Sequence, residues 1–317
     1  MSDYYFNRKV KVVLYEKDGS SYTFENANDP AHGKFFNIQF QIPFSDDGNP
    51  PISTITIMNL SKEHRNLFKT KMTVAVFFCY EKANTGYQKL TEGSIKHITP
   101  YTTDGVDGTF TFTVQAGKDY SSIKKVYSSA SKVVSKKNSI DLGKNKKLEW
   151  TTKQKAHVDI SFPKGVKASR IIKRLALDAN IPIAKMKLKT DKVFKKGYTV
   201  SGKPYATIKS LVSQCKSKIY YHVNDIVIDD PDAKIDKTKS HLYLSPHSGL
   251  LGHPTLNDDE DSKPTWTFTS FLIAGIDTGN IVTIGGIPEV TGTFKVKSGE
   301  FSLDESTAQV TFEVYAK

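Results

Sequence analysis

Strict alternation of apolar and polar residues is the feature that most constrains how this chain folds. In the segment Ile52–Met58, Ile55 and Ile57 fall on one side and Thr54 and Thr56 on the other. This period of two is typical of a β-strand with one face buried against a core. Similar alternation recurs in residues 9–15, 36–42 and 109–115. Residues 1–117 are therefore predicted to form six or seven antiparallel strands and one short helix, arranged as a barrel or sandwich.

The middle of the chain follows a different pattern. Apolar residues recur at helical spacing over residues 168–180, and Pro204 opens a second predicted helix. A predicted hairpin that turns at Asn224 and Asp225 follows it, and alternating segments return from Leu242 onward. The sequence thus predicts a mainly β protein with an inserted α+β module. Its predicted segments are 1–117, 118–235 and 236–317.

The positive charge is concentrated in this middle segment. The whole chain carries a net charge of +12, and residues 118–235 hold 27 lysines and arginines against 10 acidic residues, so the remainder is acidic. Such a surface attracts either an acidic protein or nucleic acid. No helix-turn-helix, zinc finger or RNA-binding signature accompanies the Ser- and Lys-rich residues 124–147. Docking onto an acidic protein is therefore favoured, with Lys144, Lys146 and Lys147 as the partner-binding residues, and nucleic-acid binding is the alternative.

No constellation of residues points to catalysis. His241, His247 and His253 lie six residues apart in a segment with proline and glycine, whereas a helical zinc site needs histidines on one face. The acidic run at 258–261 lacks the spacing of a calcium loop and is predicted to be a solvated turn. No nucleophile, phosphate-binding or dinucleotide-binding motif occurs. The sequence predicts no enzyme, no cofactor and no metal.

The cysteines and the hydropathy indicate in which kind of compartment the protein is expected. Cys79 and Cys215 each lie in an apolar run without a metal-binding neighbour, which predicts two buried, reduced thiols. The N-terminal residues are polar and charged, and no run of eighteen apolar residues occurs. Neither a signal peptide nor a membrane span is expected, and the chain is expected in a cytosol-like compartment without a membrane partner.

Two motifs before residue 230 are more specific than a strand pattern. The first is I-S-T-I-T-I-M-N-L, in which Asn59 and Leu60 end an alternating strand and Ser61 caps a short helix. The second, at 198–228, runs from V-S-G-K-P-Y-A-T-I-K-S-L into a helix and then an I-Y-Y-H-V-N-D-I-V-I hairpin. Each is weak alone, and their order along the chain is what makes them specific.

A third motif completes the set. The turn at 248–254 carries Gly249, Leu250, Gly252 and Pro254, and a predicted strand precedes it. With these three motifs in this order, the chain resembles the central hub proteins of phage baseplates, the late-control D type of contractile tails.

The resemblance implies two tail-tube-like antiparallel β-barrels per chain, one from 1–117 and one from 236–317, with possible strand exchange between them. It implies a homotrimeric ring that adapts the hexameric tail tube to the trimeric spike, in a phage tail or a tail-like particle. Two interpretations of Ile52–Met58 and residues 308–315 are equally open: edges that pair with neighbouring subunits, or internal strands. The partners implied are the tail tube protein, the spike protein, inner baseplate proteins and the tape-measure protein.

The resemblance also implies that DNA passes through the lumen without specific binding. The expected location is the baseplate of the virion tail, assembled in the host cytoplasm. A cell-wall-degrading hub enzyme and a basic nucleic-acid-binding protein are the alternative functions.

Overall fold

The computed structural model describes residues 7–26, 36–81, 86–123, 133–141, 147–155, 160–200, 203–223, 225–235, 241–258 and 263–316. In 133–141 and 147–155 the description covers the backbone alone. The chain divides into two compact units. The first comprises Met1–Asp119, Ala184–Lys187 and Lys218–Lys317, and the second Tyr120–Ile183 and Leu188–Ser217.

The elements follow one another along the chain in three groups. The first group is β1 Arg8–Tyr15, β2 Ser21–Glu25, β3 Ile38–Ser45, β4 Ile52–Met58, α1 Lys62–Leu67, β5 Thr73–Tyr80, β6 Gln88–Ile98, β7 Thr102–Thr103 and β8 Gly108–Ala116. The second is β9 Val133–Asp141, β10 Lys147–Lys155, β11 Ile160–Phe162, β12 Val166–Lys167, α2 Ala168–Asp178, β13 Ile183–Met186, β14 Val193–Phe194, β15 Tyr198–Val200 and α3 Pro204–Gln214. The third is β16 Lys218–His222, β17 Asp225–Asp229, β18 Leu242–Leu244, β19 Leu250–Asn257, β20 Thr265–Phe271, β21 Ile281–Ile284, β22 Gly292–Leu303 and β23 Ala308–Tyr315.

One large sheet organises the first unit, in the order β19-β20-β23-β22-β3-β4-β8-β6-β5-β1-β2. The strands from β3 to β2 form a first lobe, and a 3.4 Å hydrogen bond from the Phe36 N–H to the Glu25 carbonyl brings its two ends together. The strands β18–β23 form a second lobe. Here β21 pairs with both β22 and β18, and the turn after β18 leads back into β19. The predicted mainly β architecture with a small inserted α module is confirmed.

The two lobes share the sheet because β3 pairs directly with β22. The antiparallel register runs from Ser45 opposite Ser298 to Phe40 opposite Leu303, and β22 bonds to β23 on its other side. Strands β4 and β23 therefore both lie inside the sheet. Both segments, predicted either as edges or as internal strands, are internal strands of the sheet in this chain.

A single hydrophobic core runs through both lobes. Ile42 of β3 and Phe301 of β22 face each other and are both buried within it. At Gly299 any Cβ would lie 2.4 Å from the Thr311 carbonyl oxygen and 2.5 Å from the Phe44 ring. The Phe44 ring is thereby free to pack on Phe301, with ring centroids 4.9 Å apart. The glycine lets the core close at the junction of the lobes.

The second unit is built around helices α2 and α3. Ile171, Ile172 and Leu175 of α2 are completely buried, as are Ile208 and Leu211 of α3. These positions recur at helical spacing, which is why the sequence pattern located both helices to within about two residues. Short antiparallel pairs, β11 with β15 and β12 with β14, accompany the helices.

The hairpin β16–β17 belongs to the first unit, although the sequence grouped it with the inserted module. Ion pairs hold it to the sheet: Lys218 to Asp46 at 3.2 Å and Lys295 to Asp229 at 2.7 Å. The division at 117 and 235 stays a prediction.

Both cysteines are buried and unpaired, as predicted. In the described residues no helix is long and apolar enough to cross a membrane.

Candidate functional site

The side of the sheet that faces away from the core has an unusual composition. Along β8, β4, β3, β22, β23 and β20, core residues such as Phe112, Ile55 and Phe312 alternate with residues that point the other way. We call the continuous polar part of this outward set the threonine face. It consists of Thr109, Thr111, Thr113, Thr54, Thr56, Gln39, Gln41, Ser298, Glu300, Ser302, Gln309, Thr311, Glu313, Thr267 and Thr269. Lys295 of β22 alternates with the buried Phe294 and Val296 and also points outward, but it lies beyond this part.

The threonine face crosses the junction of the lobes without interruption. One row runs across five strands, because Thr113 lies opposite Thr54, Thr54 opposite Gln41, Gln41 opposite Ser302 and Ser302 opposite Gln309. Threonine suits such positions because its branched side chain packs well on a pleated surface.

Cross-strand hydroxyl contacts tie the face together on both sides of the junction. In the first lobe the Thr56 and Thr111 hydroxyls are 2.9 Å apart, and in the second the Thr269 and Thr311 hydroxyls are 3.3 Å apart. These hydroxyls bond to each other and are half-buried. The face is thus polar, but part of its hydrogen-bonding capacity is already used within the sheet.

Cations border the threonine face but do not occur among its residues, and Lys295 and Lys297 at its margin are each paired with an acid. None of its positions is a lysine or arginine, although the chain has 45 of them. Its charged members are Glu300 and Glu313. Lys297 lies at the bulge in β22, on the margin of the face, and its Nζ is 2.9 Å from the Glu313 carboxylate.

A cluster of ion pairs borders one end of the face, where the hairpin β16–β17 meets the sheet. The Asp46 carboxylate accepts a 3.0 Å hydrogen bond from the Tyr315 hydroxyl and lies 3.2 Å from Lys218 Nζ. Burial raises the pKa of Tyr315, and the Asp46 charge adds to the effect. Nearby, Lys295 Nζ bonds to Asp229.

A groove with a volume of about 780 Å³ lies between the two lobes. The β22–β23 turn lines it: Glu305 accepts hydrogen bonds from Arg8, at its carbonyl, and from Asn37, at its carboxylate. Asp304 accepts from the backbone and hydroxyl groups of Thr307 and Ser306, which lowers the pKa of Asp304 to about 2. A carboxylate so stabilised holds a turn and is unsuited to donating protons near neutral pH.

The predicted motif residues Asn59 and Leu60 form a structural junction. Asn59 ends β4 with a left-handed φ of 55°, its side-chain carbonyl accepts from the Gly108 N–H at 2.7 Å, and its amide donates to Asp107 at 2.7 Å. Leu60 is buried in the core. Ser61 caps α1 by accepting from the His64 N–H, as predicted.

The motif residues Gly249, Leu250, Gly252 and Pro254 lie at the end of the β18–β19 turn and in β19. Gly249 and Gly252 adopt positive φ angles, and Leu250 is buried. Gly252 and Pro254 fall where the β19–β20 register shifts, between Leu251 and Thr255. Proline cannot donate to a neighbouring strand, so this bulge blunts the outer edge of the sheet. The motif residues thus have structural roles within the fold: Asn59, Gly249 and Gly252 at positive φ, and Leu60 and Leu250 in the core.

The predicted basic residues fall largely outside the described part. Lys144 and Lys146 lie outside it, and Lys147 begins β10 opposite Asp141 with only its backbone described. Of the acidic run, Asp258 is described and 259–261 are not. Within the described residues, including His241, His247 and His253, no group of three or more His, Cys, Asp or Glu is placed to hold a metal ion.

Sequence reasoning missed one pair. His222 Nδ1 lies 2.9 Å from the Asp277 carboxylate, which raises the pKa of His222 against the opposing effect of burial. The pair joins β16 to a loop of the second lobe, and no sequence motif links these positions. The threonine face, in contrast, was visible in the alternation but was interpreted only as the solvent side of strands.

Sequence comparisons identify no relative: no protein-family profile matches the chain, and no curated protein matches it. Structural comparisons find phage tail proteins. A tail protein from Neisseria meningitidis superposes with a TM-score of 0.61 at 8% identity, over 98% of this chain and 97% of that one. The 43 kDa tail protein of prophage MuSo2 from Shewanella oneidensis gives 0.59 at 9% identity, over 97% and 96%.

A third similar structure comes from a secretion system. The Escherichia coli protein c3393, a type VI secretion component described as structurally similar to the phage T4 tail proteins gp27 and gp5, gives a TM-score of 0.57 at 9% identity, over 89% of this chain and 74% of that one. At such low identity the likeness establishes the fold. The predicted resemblance to phage tail proteins is thus confirmed at the level of the fold.

Proposed function

We propose that this chain is the central hub of the baseplate in a phage tail or tail-like particle. Three copies form a ring that joins the six-fold tail tube to the three-fold spike. The single observation that carries the proposal is the fold, which two tail proteins share over nearly their whole length. The proposed role is structural, and the described site geometry favours no reaction.

The arrangement of the lobes supports the change of symmetry. Each chain presents two β lobes, and three chains would present six to a hexameric tube. Because β3 of the first lobe pairs with β22 of the second, the lobes of one chain are held at a fixed spacing. A rigid pair of lobes is what matching three copies to six positions requires.

The threonine face supports the passage of DNA. A phosphate backbone binds cations without regard to sequence, because each neutralised phosphate releases counterions. A wall that DNA must pass quickly should therefore carry no lysine or arginine. The residues of the threonine face meet this condition in a chain with a net charge of +12, and Lys295 and Lys297 at its margin are each paired with an acid. We therefore assign the threonine face to the lumen.

The remaining partners follow from this role. We propose contacts with the tail tube protein, the spike protein, inner baseplate proteins and the end of the tape-measure protein, in a baseplate assembled in the host cytoplasm. Lys144, Lys146 and Lys147 are proposed to dock onto an acidic baseplate neighbour. Charge reversal at these three lysines should weaken that docking more at low salt than at high salt.

Particle imaging and mass measurement of the purified full chain test the hub proposal. The expected result is a particle of three copies with a central hole and six peripheral densities. The proposal would be overturned if the chain stayed a monomer, or formed an open filament, both when purified alone and after a tail tube protein is added. A peptidoglycan-release assay on the same sample is expected to show no activity, and release above a heat-treated control would favour the cell-wall-degrading alternative.

A further inference from the structure

Helix α2 exposes a stripe of residues opposite its buried face. Arg170, Lys173, Arg174 and Leu177 are spaced i, i+3, i+4 and i+7, so they share one side of the helix. Leu177 is 76% exposed, which is high for a large apolar side chain. We call these four residues the α2 stripe. It combines three positively charged side chains with one exposed apolar side chain, Leu177.

The charge of the α2 stripe is not balanced within its surroundings. Between residues 160 and 217 the chain has fourteen lysines and arginines but only two acids, Asp178 and Asp191. Asp178 pairs with Arg174 at 2.9 Å, and Asp191 accepts hydrogen bonds from Ser169. Among the described residues, no carboxylate lies within ion-pair distance of Arg170 or Lys173. The stripe therefore suits a partner that brings its own carboxylates.

The leucine decides between two kinds of anionic partner. A nucleic acid backbone needs only cations and gains little from an exposed leucine. A protein surface that offers an apolar side chain beside carboxylates would use both features of the stripe, since burying Leu177 removes apolar area from water. The stripe thus fits an acidic protein surface with an exposed apolar residue.

Such a surface exists on this same chain. Leu256, near the end of β19, is 47% exposed, and Asp258 follows the strand. The sequence continues with three further acids at 259–261. Lys263, which follows this run in the sequence, has its Nζ 4.0 Å from the Asp232 carboxylate. Leu256 and Asp258 therefore place an exposed leucine beside a carboxylate, which complements the leucine and cations of the α2 stripe.

We propose that the α2 stripe of one copy docks onto Leu256 and Asp258 of the next copy in the ring, with Leu177 packed against Leu256. The inference rests on the proposed function, because it requires several copies around an axis. The two patches are different surfaces of one chain, so the contact is head-to-tail and repeats from copy to copy until the ring closes. Opposite charge guides the docking and fixes its register.

Cysteine cross-linking tests this contact directly. Leu177→Cys and Leu256→Cys are made in separate chains, and the native Cys79 and Cys215 are buried. Under mild oxidation, an equimolar mixture of the two variants should give a covalent dimer, while each variant alone stays uncross-linked. The chain carrying both substitutions should give covalent dimers and trimers. A disulfide needs Cα atoms within about 7 Å, so cross-linking reports true contact.

The outcomes separate this inference from the hub proposal. Rings that form without cross-linking would overturn the contact and leave the hub intact. A double variant that cross-links only within one chain would do the same. If the wild-type chain forms no ring under any condition, both proposals fail together.

Charge reversal gives a second, independent readout. The pair Arg170→Glu and Lys173→Glu should raise the concentration for half-maximal ring assembly at least about tenfold at 50 mM salt, and less at 500 mM. The pair Lys195→Glu and Lys196→Glu changes the charge of the same unit equally and should leave assembly within about twofold. Equal effects of the two pairs would contradict the docking site. Adding Asp258→Lys to the first pair should restore part of the assembly.

Discussion

Lys295 Nζ lies 2.7 Å from the Asp229 carboxylate, although the two residues are 66 positions apart in the sequence. Asp229 is the last residue of hairpin β16–β17, and Lys295 lies in β22 of the second lobe. Both side chains are largely buried, at 8% and 18% exposure. The pair fixes the hairpin to the sheet at the margin of the threonine face.

Lys295→Met should destabilise the protein by about 3 kcal/mol, because it leaves the Asp229 carboxylate buried without its close partner. Denaturant unfolding of the full chain measures the change. Lys185→Met is the matched control, since Lys185 is 61% exposed and approaches Asp229 only to 3.7 Å. The control should lose less than about 1 kcal/mol. Equal losses of unfolding free energy in the two variants would show that the 2.7 Å pair stabilises the protein no more than the 3.7 Å contact does.

Substitution of Asn59 tests the motif that ends β4. Asn59→Ala should cost about 2 kcal/mol, because it removes the bonds to Gly108 and Asp107 and places a Cβ residue at a φ of 55°. Asn59→Gly removes the same bonds but adopts this φ freely, so its loss should be about 1 kcal/mol smaller. Thermal unfolding of both variants measures the difference. If alanine proves no worse than glycine, the backbone at this position is not held in the left-handed region.

The His222–Asp277 pair predicts a pH dependence of stability. The Asp277 carboxylate raises the pKa of His222 in the folded protein above its unfolded value of about 6.5. A raised folded pKa stabilises the protein fully below the unfolded pKa, and this contribution disappears as the pH rises through the folded value. His222→Gln should therefore lower the unfolding midpoint at pH 5.5 and have a smaller effect at pH 9. Asp277→Asn is expected to remove the same pH-dependent difference, and a deficit of His222→Gln that grows with pH would contradict the pair.

Local pattern predicted the elements of this fold well. The alternation in Ile52–Met58 identified β4, and the apolar spacing around Leu175 and Leu211 identified α2 and α3. In each case the signal lies within one element, because the period of the apolar residues follows directly from strand or helix geometry.

Pairing between distant segments was not predictable in the same way. The period of two places Ile42 and Phe301 on buried faces but does not say that these faces are neighbours. The sequence could not show which strands of the two β segments pair, whereas the register of β3 with β22 does so. The His222–Asp277 contact had no sequence signal for the same reason. The threonine face needed both kinds of information, namely alternation within strands and the order of strands.

Placing lysines on the threonine face tests its assignment to the lumen. The triple variant Gln41→Lys, Ser302→Lys and Gln309→Lys adds one row of cations across β3, β22 and β23, where these residues lie opposite one another. Because phosphates bind such cations by counterion release, the variant ring should retain linear double-stranded DNA at 50 mM salt and lose it steeply by 200 mM. Co-sedimentation with the purified ring measures retention, and the wild type should retain little.

The topology of the DNA separates the lumen from the outer surface. A closed circle cannot thread a closed ring, so the triple variant should retain linear DNA much better than circular DNA of the same length. A control with Thr23→Lys, Thr73→Lys and Thr102→Lys adds the same charge at exposed positions outside the threonine face. That control should not distinguish linear from circular DNA, because its cations are reachable from outside. If the two triple variants retain both DNAs equally, charge alone explains the binding and the threonine face is not the channel wall.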